Sequence, residues 1–446
     1  MNLLEIFFCF GFGVYLFYTS QYLELFQRKE YRLDRVRAYI DDFGLTALLL
    51  PIYEFRRPKL KHPRNILILL IILATLTIEF ALLKFSMLWS SIFLVFAPFS
   101  AMLNLLIGVL LSSIPVNIYR FIMIEAAKIQ IQKYQPIVIG VTGSYGKSTT
   151  KDYIAAVLSK KFDVTSTPKN TNTDIGIAQT IINRIKKNGL VFVVEMGAYK
   201  KGEIQRICDI VHPKYAVITA FGTQHAGIFG GRKEIVKAKC ELAISIPQDG
   251  AIYLTSTDYE KIPHNILAHI KAPIKKYKYI ADNPHLQAIQ ATTNVASNMG
   301  MTYEEIQVAI ESLPFPQNTK IRKHLKKKYE YLLSTYSTNT ESFISHINAL
   351  YHMKKSHQAI LTPGIIELGK ERKSEYQRIV SEIKNETYIF TTDPNFAKAC
   401  TSNKTLHVTY DANQINLFRK AKSILNEDFA LLIEGRFRQS CIDSIV

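Results

Sequence analysis

The hydrophobic pattern changes character near residue 120. Before it, apolar residues run long and nearly unbroken: residues 3–19 are interrupted only by Glu5, Asn65–Leu83 only by Glu79, and Phe85–Tyr119 carries no charged side chain. A helix needs about 20 apolar residues to cross a bilayer, so the pattern predicts three spans within a helical membrane segment, 1–130. Residues 3–19 lack Lys, Arg and a small-residue cleavage site, which argues against a removable signal. The stretch from Gln21 to Arg64 holds ten Lys/Arg, among them Arg56, Arg57, Lys59, Lys61 and Arg64. Cationic loops stay on the cytoplasmic side. A multi-pass protein of the inner cell membrane is therefore expected, with everything after Arg120 cytoplasmic. The short apolar patch Leu45–Tyr53 suits the membrane interface.

After residue 130 the apolar runs become short and β-branched. Pro136–Val141 reads as a buried parallel strand, followed by the glycine loop Thr142–Thr150 and a helix over Lys151–Lys160. Leu190–Glu195, Tyr215–Ala220 and Ala251–Thr255 repeat the strand pattern. Strands alternating with helices predict a doubly wound parallel sheet, whose ligands lie at the C-terminal strand ends. The expected class is α/β: helical membrane segment, phosphate-loop ATPase core over 131–312, and a smaller α/β domain over 313–446, divided around Leu313–Pro316.

Strand, glycine loop and helix together form a phosphate cradle. Glycines let backbone N–H groups close around phosphate oxygens, and the helix N-terminus adds positive potential. Lys147 can reach the β- and γ-phosphates, and the Ser148 hydroxyl can bind Mg²⁺. The spacing departs from GxxxxGK[ST], with Gly140, Gly143 and Gly146 three apart. Glu195 closes a strand, where a carboxylate can hold a metal beside phosphates. His225 and Lys239 signify little singly: a lone histidine is usually structural, and a helix lysine usually faces solvent.

Charge and cysteines narrow the partners. The net charge is +18, without an aromatic-and-basic RNA motif, so an anionic lipid surface or anionic substrate is expected and no nucleic acid. The basic run Lys320–Lys328 reads first as a solvated face. The five cysteines are scattered and form no CxxC pair, consistent with a reducing compartment and no zinc ribbon.

In order, Gly140–Lys151, Thr167–Gly176, Val193–Gly197, Ala216–Thr219, His225 with Phe229-Gly230, and Ala238–Glu241 resemble the Mur ligase family. The likeness is nearest to members that add D-alanyl-D-alanine to the peptidoglycan precursor. Tyr336–Asn339 with Ser342, and Glu367–Gly369, echo the family's C-terminal part. The resemblance implies ATP-dependent amide formation through an acyl phosphate. It implies an ATP site at Thr142, Gly143, Ser144, Tyr145, Gly146, Lys147, Ser148 and Thr149. It also implies one Mg²⁺ at Ser148 and Glu195, and a second at His225 and a carbamylated Lys239. Lys147, Lys239 and His225 are then the catalytic residues, and Asn170, Asn172, Tyr336 and Asn339 lie on the substrate side. The implied partners are a UDP-linked or lipid-linked muropeptide and an amino acid or dipeptide.

The chain departs from the family in three places. Ala288-Ile289 stands where an Asn-Ala pair is usual, Gln317-Asn318 where an arginine is usual, and Ser334-Thr335 where an acid is usual. The family's N-terminal UDP-sugar domain is replaced by the membrane segment. These departures define the alternative: a membrane-bound nucleotide-binding scaffold without ligase turnover. A relative that amidates lipid-linked precursors ranks lower, because its four-cysteine zinc module is absent.

Overall fold

The computed structural model describes residues 3–43, 58, 63–82, 87–169, 171–223, 226–278, 284–313, 322–323, 329–334 and 339–446. The chain divides into two units, Met1–Met123 and Ile124–Val446.

The first unit is helical: Leu3–Arg28, Leu33–Phe43, Pro63–Leu82 and the beginning of Met87–Tyr134. Its core gathers Tyr15, Leu23, Phe26, Ile68, Ile72, Ala101 and Leu105. Two polar pairs lie within this apolar interior. Asn104 donates to the Tyr15 hydroxyl at 3.0 Å, and Arg64 donates to Ser112 Oγ at 3.3 Å. Phe99, Leu103, Leu110, Ile114 and Ile118 are exposed along the long helix. Three spans were expected. Among the described residues one helical segment, Phe96–Tyr134, is long and apolar enough to cross a membrane, and Pro63–Thr77 is a shorter apolar helix. The Leu45–Tyr53 patch lies outside the described residues.

The second unit holds two sheets. The first comprises β1 Ile137–Thr142, β2 Asp163–Ser166, β3 Leu190–Glu195, β4 Tyr215–Ile218, β5 Ala251–Thr255 and β6 Ile274–Tyr277. Its order is β2-β3-β1-β4-β5-β6, parallel throughout. β2 and β6, short and half polar, gave no strand signal. A parallel sheet is covered on both faces, and β1 shows why its run is continuously apolar: Val138 enters one core while Ile139 and Val141 enter the other. After β3 the chain crosses over β1 to reach β4. That reversal puts the crevice beyond the C-terminal end of β1.

The second sheet comprises β7 Arg322–Lys323, β8 Glu330–Ser334, β9 His357–Thr362, β10 Tyr388–Thr391, β11 His407–Tyr410 and β12 Phe429–Glu434. Its order is β11-β10-β9-β12-β8-β7. Five strands are parallel and β7 runs antiparallel at the edge. Along β12, Ala430 and Leu432 face one core and Phe429, Leu431 and Ile433 the other.

Candidate functional site: a phosphate loop beneath two buried lysines

The loop after β1 turns on two glycines. Gly143 has φ 154° and Gly146 φ 77°. A Cβ on Gly143 would run into the Thr219 hydroxyl and come within 3.0 Å of the Ala220 nitrogen. Gly146 is the N-cap of a helix spanning Lys147–Leu158. This helix starts four residues earlier than the pattern suggested, because left-handed Gly146 lets it begin directly at the loop. Its unpaired N-terminal amides therefore face the loop. Polar groups from β4 brace the backbone. Ser144 N–H donates to the Ala220 carbonyl at 2.9 Å, Gly222 N–H donates to Ser144 Oγ at 2.9 Å, and the Thr219 hydroxyl donates to the Tyr145 carbonyl. Thr142 Oγ1 donates to the Met196 carbonyl at 2.9 Å, tying the loop's entry to the end of β3. Gly143→Ala is expected to cost about 1–3 kcal/mol through strain at this braced position and to weaken phosphate binding; thermal unfolding and nucleotide titration check both.

Lys147 folds back over the loop, donating to the Gly143 carbonyl at 2.7 Å and the Ser144 carbonyl at 3.4 Å. Burial lowers its pKa, and nearby Glu195 partly offsets that. Ser148 Oγ donates to Glu195 Oε2 at 2.8 Å. Glu195 is buried, and its other oxygen accepts from Asn172 Nδ2 at 3.3 Å. The backbone N–H of Glu195 donates to Thr167 Oγ1 at 3.0 Å, while Lys151 Nζ donates to the Thr167 carbonyl at 2.8 Å. The end of β3 and the phosphate-loop helix are thus joined through Thr167.

Lys239 arrives on the helix Arg232–Ile244. Gly140 in β1 makes its approach feasible: a Cβ there would meet Leu242 at 2.7 Å and Met196 at 2.9 Å. Lys239 is only 5% exposed, so the solvated-lysine reading fails. Its pKa falls well below the ordinary lysine value, first through burial and then through repulsion from Lys147. Two lysines whose ammonium forms repel one another mark this place as one where an anion would be welcome.

Of the residues expected here, Thr142 to Thr149, Glu195, Asn172 and Lys239 are described, and Lys147, Ser148, Glu195 and Asn172 join one network. Asn339 lies elsewhere, as N-cap of the helix Thr340–His352, accepting from Ser342 N–H. Asn170, His225 and Tyr336 lie outside the described residues, as do Gln317 and Asn318. Among the described residues no group of three His, Cys, Asp or Glu side chains could hold a metal.

The pattern reading missed two features. Gln287, adjoining Ala288, is buried and donates to the Thr219 carbonyl at 2.8 Å, putting an amide beside the loop. A charged network also joins the helices of the two sheets. Arg232 pairs with Glu375 at 3.0 Å and Glu341 at 3.6 Å, and Arg378 pairs with Glu341 at 3.3 Å and Glu375 at 3.5 Å. Gly227 N–H donates to the Glu367 carbonyl at 2.7 Å nearby. Partners more than a hundred residues apart leave no periodic signal.

Residues 141–315 match the Mur ligase middle domain. The UDP-N-acetylmuramoyl-tripeptide–D-alanyl-D-alanine ligase of Synechocystis sp. is 26% identical over 291 residues, covering 59% of this chain and 64% of that protein. The chain thus spans less than two thirds of that relative's length. MurF from Acinetobacter baumannii superposes with a TM-score of 0.64 at 20% identity, covering 73% of this chain and 80% of the other. MurF ligase from Thermotoga maritima in complex with ADP gives 0.60 at 21% identity, over 73% and 82%. The loop, its acidic partner and the buried lysine all lie within the segment that matches the Mur ligase middle domain, and the fold around them resembles that of Mur ligases.

Proposed function

We propose that this protein is an ATP-dependent ligase that forms an amide bond on a peptidoglycan precursor, working at the membrane surface. One observation carries the reading: Lys147 lies on the glycine loop beside the Ser148–Glu195 pair, and the buried Lys239 is close enough to feel its charge. Activating a carboxylate with ATP gathers several negative charges, namely the triphosphate, the attacking carboxylate and then the acyl phosphate. The Lys147 ammonium, with loop amides directed inward, lowers the energy of that arrangement. Lys147 would release the Gly143 and Ser144 carbonyls for the phosphates. The incoming amine then attacks the acyl carbon, a new C–N bond forms, and phosphate leaves with the C–O bond electrons.

Mg²⁺ fits the donors at hand, since the Ser148 hydroxyl and Glu195 carboxylate are the hard oxygen ligands it prefers, with phosphate and water completing its shell. Bound there, it would neutralise phosphate charge. As an ammonium Lys239 repels a cation, and it suits a second metal only as a carbamate. That conversion needs a lysine able to lose its proton, which the lowered pKa supplies. Asn172, bonded to Glu195, stands on the substrate side of the loop in this reading, with Asn170, Tyr336 and Asn339, and His225 completes the metal set.

The division into 1–130, 131–312 and 313–446 belongs to the same reading, with the apolar helix Phe96–Tyr134 as a membrane span. Further spans over 3–19 and 65–83 would make it multi-pass, with the ligase part cytoplasmic. The acceptor is a muropeptide, UDP-linked or lipid-linked, and the amine an amino acid or dipeptide such as the D-alanyl-D-alanine in the relatives' names. Detergent-solubilised full-length protein is expected to release phosphate from ATP only when acceptor and amine are both present. A lower KM for the lipid-linked acceptor would assign the membrane segment a substrate role. ATP binding without turnover on any acceptor and amine would replace the ligase with the scaffold reading.

A further inference from the structure

We infer that Glu434 and His346 form the subsite that receives the amino group of the second substrate; this rests on the ligase reading above. Glu434 is the last residue of β12, which lies between β9 and β8 in the second sheet. In a parallel sheet that end is where ligands bind. The Glu434 side chain is wholly buried. Its Oε2 lies 2.7 Å from His346 Nδ1. Its Oε1 is shielded from solvent and has no hydrogen-bond partner among the described residues. An unmet acceptor in a dry interior is costly, so the open oxygen calls for a donor. One satisfied oxygen beside one open oxygen describes a half-filled site.

The dyad is tied to the phosphate loop through one helix. His346 belongs to Thr340–His352. The first residue of that helix, Thr340, accepts at 3.2 Å from the hydroxyl of Thr223, in the loop after β4. The next residue, Glu341, lies 2.7 Å from where a Cβ on Gly222 would stand, and Gly222 holds Ser144 of the phosphate loop. From Glu341 to His346 the helix rises only about 7.5 Å. The strand ends of both sheets therefore open toward the same neighbourhood, where an acyl group activated at the loop must meet its nucleophile.

The chemistry selects the ligand class. The open oxygen accepts hydrogen bonds and cannot donate. Burial alone would lower the His346 pKa, but attraction and hydrogen bonding from Glu434 prevail and raise it. A primary ammonium group supplies three N–H donors and the matching charge. An N-acylated amine supplies no charge and only one N–H donor.

The test uses full-length protein in detergent with a non-hydrolysable ATP analogue, titrated calorimetrically with D-alanyl-D-alanine, D-alanine, glycine and N-acetyl-D-alanyl-D-alanine. A free amine of this panel is expected to bind and the N-acetylated dipeptide not. Glu434→Gln should weaken that binding at least tenfold, and His346→Gln by less. Binding that does not distinguish free from acetylated amine, or that survives in Glu434→Gln, overturns the subsite. If Glu434→Gln does not fold, His346→Gln and the acetylation comparison on unaltered protein decide. Nucleotide binding without amine binding removes the subsite and leaves the nucleotide half of the ligase reading standing; loss of both removes the two together.

Discussion

Lys147→Ala is expected to lower affinity for ATP and ADP about a hundredfold or more, the scale on which removing a preorganised charge from an anion site acts, and to abolish phosphate release. The side chain bonds only to loop carbonyls at 2.7 and 3.4 Å and packs in no core cluster, so the fold should survive. Removing it strips the loop of its mobile cation while Gly143, Gly146 and the helix N-terminus stay in place. Calorimetric titration with ADP, beside far-ultraviolet dichroism, measures both halves of the claim. Unchanged affinity with unchanged phosphate release would remove Lys147 from the site.

Lys239→Met should separate stability from activity. A lysine with 5% exposure and Lys147 as neighbour must either bury a charge or shed its proton to fold. Its folded pKa lies below the unfolded value, so the unfolded chain holds the proton more tightly. The native state therefore loses stability as pH falls from the ordinary lysine range through the lowered value, and below that the full cost persists. Methionine removes this cost. The variant should be stabilised by on the order of 1 kcal/mol at neutral pH, the gain shrinking as pH rises toward 10. Ligation should fall by two or more orders of magnitude. In Lys239→Ala, small carboxylic acids should restore part of it if a carbamate is the working form. Denaturant unfolding across pH, read with phosphate release, tests the pair of effects; a Lys239→Met protein that is less stable yet fully active would contradict both.

The network of Arg232, Arg378, Glu341 and Glu375 lies between these two sites of chemistry. It couples the helix that carries Lys239 to the helix that carries His346. Repacking at one sheet's helices is thereby felt at the other's. Glu341 and Glu375 are largely buried, so these ion pairs are screened less than surface pairs.

The chain by itself determined what local chemistry can encode. A short β-branched run followed by glycines and GKS specified strand, cradle and helix, because parallel strands are apolar on both faces and only glycine takes the loop's dihedrals cheaply. Glu195 was recognisable at the end of its strand, where a carboxylate can hold a metal beside phosphates. Tertiary structure decided the rest. Lys239 was indistinguishable from a solvated lysine until Gly140 allowed its helix against β1, burying the ammonium beside Lys147. The helix start moved to Lys147 because left-handed Gly146 ends the loop one step before it. β2 and β6 were hidden because edge strands are short and half exposed. Arg232 with Glu375, and His346 with Glu434, were out of reach for a different reason: their partners meet only after both sheets have formed, and separations of 143 and 88 residues carry no period that hydrophobic patterning can express.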